Sequence, residues 1–273
     1  MVRNELALCC ILSLLLVSSC ATKQNSSSHS FSSGRWIDLT HDFSSETVYW
    51  PTSEPFRLET VFNGITEKGF FYTAYQFCAA EHGGTHIDAP IHFSLGKKTI
   101  DQVPIEQLVG EAVTIDASKK ALGNQDYQVS TEDFVAWESA NGKIPDNSIV
   151  LLYTGFGKYW HDRVKYMGTD KRGQEAVKEL HFPGLHPEAA KWLVKNRRIS
   201  AIGLDTPSID YGQSQLFESH QILFEQNIPV FENVANLDKL PSKGALVIAL
   251  PMKIKEGSGG PLRIIALVPD ESP

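Results

Sequence analysis

The segment Glu81-His82-Gly83-Gly84-Thr85-His86-Ile87-Asp88-Ala89-Pro90-Ile91-His92-Phe93 limits the folding of this chain more than any other stretch. Gly83, Gly84 and Pro90 oppose a helix, because glycine loses the most backbone freedom on ordering and proline lacks the N–H that a helix interior uses. Three imidazoles and a carboxylate fall at offsets of zero, four, six and ten from His82. Every offset is even, so an extended backbone with a side-chain period of two places all four groups on one face. A helix, at about 100° per residue, would pair His82 with His86 and leave Asp88 and His92 far around the cylinder. The helical His-Glu-x-x-His pattern is excluded as well, since Gly83 follows His82.

Imidazole and carboxylate together suit Zn²⁺ or Mn²⁺ better than Ca²⁺, which prefers oxygen alone. His82, His86 and Asp88 are therefore candidate metal ligands. Three protein ligands leave room for water, as catalytic sites require, whereas structural zinc is usually closed by four. The plain alternative is a His-rich turn that bonds only its own backbone, and four such groups within eleven residues argue against it. A second cluster lies further on. A helix over Gln215–Gln226 would carry Leu216, Phe217, Leu223 and Phe224 on one stripe with His220 in its middle, pointing inward. Glu232 follows a short strand, Ile228–Phe231, that returns to the same end of the sheet, and a buried carboxylate there needs a partner.

Around these clusters the patterns alternate. Strands are expected at Trp36–Thr40, Phe70–Cys78, Ala112–Asp116, Ser148–Tyr153, Ile199–Asp205, Ala245–Leu250 and Leu262–Val268. Helices are expected at Thr131–Ser139 behind the cap Ser130 and at His186–Asn196 with Pro187 in its first turn. The pattern indicates an α/β fold with a mixed sheet and flanking helices, as a single domain over 35–273. A folded part of roughly 250 residues buries about three quarters of its unfolded surface, enough for a core without disulfides. The net charge of −7 and the lack of a clustered basic face exclude nucleic acid as the expected partner. Lys195-Asn196-Arg197-Arg198 reads as the basic end of a helix.

The first 20 residues read as an export signal, with an apolar run from Leu6 to Val17 too short to span a bilayer comfortably. Val17-Ser18-Ser19-Cys20 resembles a lipobox, whose Cys would be lipid-modified; an ordinary secretory signal is the alternative. Residues 21–34 form a Ser-rich tether with too little apolar content to fold. The expected location is outside the cytoplasm, periplasmic or membrane-anchored in a bacterium, with membrane contact only through a lipid on Cys20. Cys9, Cys10 and Cys20 belong to this region, which leaves Cys78 as a buried, inert thiol with no disulfide partner.

The run from His82 to Phe93 resembles the signature of the cyclase family, which includes bacterial kynurenine formamidases and isatin hydrolases. Asp38-Leu39-Thr40, Trp50-Pro51, the stretch Gly203 to Asp210, His220 and Glu232 extend the resemblance over nearly the whole chain after the tether. It implies a swivelling β/β/α fold, a homo-oligomer (dimer or tetramer), and one or two divalent ions. His82, His86 and Asp88 resemble the first metal's ligands, and Asp88 with His220 and Glu232 a second site. His92 matches the proton donor and acceptor of the formamidases, and Trp50 a residue of their substrate pocket. Phe70, Phe71 and Tyr72 are weaker candidates for an aromatic wall, with ordinary strand packing the preferred reading. The implied activity is hydrolysis of an aryl formamide or a lactam: a cation lowers the pKa of water from about 16 towards about 7, and His92 passes a proton to the departing nitrogen. An export signal sits poorly with N-formylkynurenine, an intracellular metabolite, as the substrate.

Other chemistries find little support. No Gly-x-Ser-x-Gly elbow occurs, and Gly155-Phe156-Gly157 lacks the third glycine of a dinucleotide loop. Asp205 and Asp210 read as turn and cap residues. A tethered binding protein without turnover, or a polyketide-type cyclase or dehydratase on the same fold, remain as rivals. His92 separates the first of these, because a pure binder has no use for an extra proton carrier.

Overall fold

The computed structural model describes residues 34–270, so the expectations for the export signal, Cys20 and nearly all of the tether lie outside the described residues. The first strands are β1 (Arg35–Asp38), β2 (Arg57–Ile65), β3 (Phe71–Cys78) and β4 (His86–Asp88). They are followed by β5 (Val109–Asp116), α1 (Ser118–Ala121), β6 (Gln128–Val129), α2 (Thr131–Asn141) and β7 (Ile149–Tyr153). Then come α3 (Arg163–Met167), β8 (Gly184–Leu185), α4 (Pro187–Asn196) and β9 (Ala201–Leu204). The chain ends in α5 (Glu218–Glu225), β10 (Val230–Glu232), β11 (Lys243–Pro251) and β12 (Gly259–Val268).

The main sheet runs β1-β12-β11-β5-β7-β9-β10-β4, and β4 also pairs with β12, which closes seven of its strands on themselves. Its centre is parallel, from β5 through β7 and β9 to β10, and its remaining ladders are antiparallel. Strands covered on both faces read as continuous apolar runs, and Ile149 to Leu152 in β7 are all buried. One face of these strands packs under α2, α4 and α5 through Phe134, Leu193, Leu223 and Phe224. The alternate residues, including Ile87, Leu151, Phe231, Val247 and Ile264, fill the interior of the closed sheet. The mixed α/β expectation holds.

Several details differ from the sequence reading. The segment 82–92 is extended only over His86–Asp88; the chain reaches His86 through irregular backbone with Gly84 at φ +60°, and His92 ends a 3₁₀ turn over Pro90–His92. Pro90 ends the strand because it cannot donate to the ladder. Helix α5 starts at Glu218, not Gln215, since Phe217 is left-handed at φ 51° and Leu216 is exposed. Phe70, Phe71 and Tyr72 neither wall the pocket nor pack in a core: β2 and β3 form a separate two-stranded ribbon, and these rings are exposed on it. Cys78 closes that ribbon and is exposed rather than buried, for the same reason.

Candidate metal centre

Strand β4 is where the closed sheet meets the site. Its pairing with β10 sets His86 opposite Glu232, and its pairing with β12 sets Asp88 opposite Gly259. Gly259 is required there, because an added Cβ would lie 2.6 Å from His82 Cε1 and 2.5 Å from the Ile87 carbonyl. Gly83 has the same character: its bridge to Tyr49 leaves 2.1 Å between an added Cβ and the Tyr49 ring. His220 comes from the opposite side on α5, the half-buried His92 from the 3₁₀ turn, and His82 from the loop before β4. The structure thus brings all five expected ligands and His92 around one cavity, which Trp50 also lines.

The outer nitrogen of each candidate-ligand imidazole is already engaged, and this fixes the inner one. His86 Nδ1 lies 3.0 Å from the Gly84 carbonyl and can only donate to it. His220 Nδ1 donates to Asp210 at 2.6 Å. Ser258 Oγ donates to Glu81 at 2.6 Å, so His82 Nε2 at 2.8 Å must donate to Ser258. In the neutral rings the remaining nitrogens carry the lone pairs. His82 Nδ1 faces Asp88 Oδ1 at 2.6 Å, His86 Nε2 faces the same oxygen at 3.1 Å, and His220 Nε2 lies 3.1 Å from Asp88 Oδ2 and 3.2 Å from Glu232 Oε1.

Asp88, His86, His220 and Glu232 are each at most 3% exposed. Buried acceptors that converge repel one another unless a positive charge lies among them, and His86 Nε2 has no hydrogen-bond partner among the described residues. The protein's own charges show the same demand. Burial raises the Asp88 carboxyl, but the surrounding His82 and His86 imidazoles outweigh this and hold it well below the carboxylate range. Burial lowers His220, yet the carboxylates of Asp210, Asp88 and Glu232 outweigh this and push it well above the usual imidazole value, so a proton on Nε2 supplies positive charge there unless a cation takes its place. Burial and the neighbouring Asp88 both raise Glu232. Two donor groups within metal-binding reach share Asp88: His82 with His92, and His86 with Glu232. The residues fit a divalent cation, and Asp88 is the one that can bridge two.

His92 differs from the others. Its ring stacks on His82 at 3.8 Å and makes no hydrogen bond among the described residues. Burial lowers its pKa to about 4, so it is neutral at pH 7. Trp50, Phe93 and Phe217 wall the cavity, with Trp50 edge-on to Phe217 at 6.2 Å; the volume is about 260 Å³, suited to one small ring system.

Sequence reasoning missed the outer partners. Asp210 caps α5, accepting from Ser219 N at 3.0 Å and His220 N at 3.2 Å, as a cap reading implies, but it also orients the His220 ring. Asp205 accepts three N–H groups of the turn after β7. Ser258 lies 176 residues from His82, and no local pattern signals that contact. Glu81 stands beside His82 in sequence, which was its only signal.

Comparison with known proteins identifies the family. The profile of the cyclase family, described as "Putative cyclase", matches residues 37–211. The isatin hydrolase of Roseibium aggregatum is 33% identical over 209 residues, covering 74% of this chain and 77% of that protein. A kynurenine formamidase of Bacillus cereus is 29% identical over 237 residues, covering 84% and 96%. The structure of isatin hydrolase A from Labrenzia aggregata bound to benzyl benzoate superposes with a TM-score of 0.77 at 33% identity, covering 86% of this chain and 94% of that one. The chain belongs to the cyclase family.

Proposed function

We propose that this protein hydrolyses the amide carbonyl of a small aromatic substrate, an aryl formamide or an isatin-like lactam, with Zn²⁺ or Mn²⁺ held by His82, His86, Asp88, His220 and Glu232. The observation that carries the reading is the convergence of three imidazole lone pairs and two carboxylates on an aromatic-walled cavity that also holds an unbonded, neutral imidazole. When bound, a divalent cation supplies Lewis acidity, polarising a carbonyl and making water more acidic.

The chain's own groups do the rest. Trp50, Phe93 and Phe217 hold a flat ring against the ligand cluster, where edge and face contacts between aromatic rings each contribute about 0.5–1.5 kcal/mol beyond burial. His92, neutral at pH 7, takes a proton from the attacking water at a ring nitrogen and returns it to the departing nitrogen as the C–N bond breaks. An anilide-type nitrogen leaves more readily than an alkyl amine, which favours aryl amides and lactams. The names of the relatives, isatin hydrolase and kynurenine formamidase, support both substrate classes. The sequence reading of an exported protein favours the lactam.

The test is turnover of isatin, N-formylkynurenine and formanilide by metal-loaded protein, beside His92→Ala. The reading expects hydrolysis of at least one, and a loss of about 10²–10⁴-fold in kcat for the variant, the usual contribution of a positioned proton carrier. Full turnover in His92→Ala would remove His92 from the mechanism, and no turnover of any aryl amide would overturn the substrate class.

A further inference from the structure

The polar groups around the cavity, apart from the ligand cluster and His92, divide into those already engaged and those left free. Asn233 is engaged at both ends: its Oδ1 accepts from the Tyr166 hydroxyl at 2.8 Å, and its Nδ2 donates to the Gly84 carbonyl at 2.7 Å. The Tyr49 hydroxyl has no partner, but it is sealed away from water. Ser208 is different. It lines the cavity while only 5% exposed, and its hydroxyl makes no hydrogen bond among the described residues. Nor is that hydroxyl one of the sealed polar atoms, so the small part of Ser208 that solvent reaches includes its oxygen, and this opens into the cavity.

The backbone holds that hydroxyl in place. Pro207 stiffens the turn just before it, since the proline ring locks φ. Asn233 N donates to the Thr206 carbonyl at 2.9 Å, Thr206 Oγ1 to the Ser208 carbonyl at 3.2 Å, and Leu185 N to the Ile209 carbonyl at 2.6 Å. Ile209 N donates to Glu232 Oε1 at 2.7 Å, which sets Ser208 directly beside the ligand cluster. A hydroxyl turned towards that cluster would donate to Glu232, because carboxylate oxygens are the strongest acceptors a side chain offers. Ser208 makes no such bond, so its hydroxyl faces the aromatic part of the cavity, walled by Trp50, Phe93 and Phe217.

We propose that Ser208 is a specificity-determining residue, and that its hydroxyl donates to a second acceptor on the substrate, a carbonyl borne by the aromatic ring beside the amide nitrogen. The proposal rests on the aryl-amide reading above and narrows it to ortho-acyl anilides and to lactams with a neighbouring ketone. The position on the ring follows from the fold. Ser208 adjoins the ligand cluster through the Ile209–Glu232 bond, so the acceptor it meets lies close to the bond being broken. The cavity of about 260 Å³ holds one ring with such a substituent. A donor fixed in a largely apolar cavity discriminates because a substrate without the acceptor shuts the hydroxyl off from water and leaves it unpaired. Its rigidity helps as well, since little freedom is lost when it binds.

The experiment compares ortho-acetylformanilide with ortho-isopropenylformanilide, which has the same shape but no acceptor, in metal-loaded native protein and in Ser208→Ala. Native protein is expected to prefer the acetyl compound in kcat/KM by about 3–10-fold, the factor that one neutral hydrogen bond supplies, and mostly through KM. In Ser208→Ala that preference should disappear, with metal content and circular dichroism as in the native protein. A hydroxyl that merely supports the fold would lower both rates together and leave the preference standing. The amines released, ortho-aminoacetophenone and ortho-isopropenylaniline, are also titrated into both proteins by calorimetry, which needs no turnover. Native protein should bind the ketone more tightly by the same factor, and Ser208→Ala should bind the two alike. Failure of both formanilides to react would count against the aryl-amide reading, while the amine titration would still report on Ser208. A preference that survives in Ser208→Ala, or native protein that binds the two amines equally, would overturn the proposal.

Discussion

Asp210→Asn changes one atom and should weaken the metal centre from outside it. In the native site Asp210 accepts from His220 Nδ1 at 2.6 Å, His220 N at 3.2 Å and Ser219 N at 3.0 Å, so both its oxygens serve only as acceptors. The amide must present its NH₂ to one of these donors. Turned towards Ser219, it costs an N–H bond at the start of α5; turned towards His220, it donates to Nδ1 and forces the proton onto Nε2, which then points at Asp88 and Glu232 and cannot ligate. Outer partners of ligand histidines are typically worth about 10–100-fold in metal affinity, or about 1.4–2.8 kcal/mol. The assay is competition of the apoprotein with a chromogenic chelator, beside thermal melting without metal. Metal affinity should fall by that factor, whereas a purely structural cap would lower only the metal-free melting temperature by the equivalent of about 1 kcal/mol. Metal affinity within about twofold of native would refute a role for Asp210 in orienting His220.

Gly83→Ala puts a Cβ 2.1 Å from the buried Tyr49 ring and should destabilise the fold by about 1–3 kcal/mol in chemical denaturation; an unchanged midpoint would mean that the Tyr49 ring moves freely. His41 stacks on Trp160 at 3.9 Å, and burial first, then the charge of His161, lowers its pKa from the ordinary 6.5 to about 4. The unfolded chain therefore binds more protons between those values, and stability falls as pH drops through that window. His41→Phe should keep the stack and flatten that slope in pH-dependent denaturation.

The first candidate ligands, His82, His86 and Asp88, stood out because they are close in sequence and chemically unusual together. His86 and Asp88, two residues apart on a true strand, do share a face as period two requires. His82 and His92 reach the site by turns instead, so residues expected together on one extended face do line one cavity, but on a different backbone. His220 and Glu232 could be suspected from polar groups set in apolar surroundings. The Ser258–His82 contact joins chain segments that only the closed sheet brings together, through the β4–β12 ladder, and no pattern in either segment encodes it. The ribbon was half legible: alternation identified the strand to Cys78, but apolar alternation says that a face wants cover without saying what provides it. The expected burial of Cys78 failed at that point.

The most direct measurement is elemental analysis and anomalous X-ray scattering on protein grown with ample zinc and manganese, beside Asp88→Ala. The account predicts one or two divalent ions per chain in the native protein, with an anomalous peak between Asp88 and the inner nitrogens of His86 and His220. Because Asp88 touches all three imidazoles, its variant should be nearly metal-free. Native protein without transition metal, or a variant that retains the full complement, would contradict it.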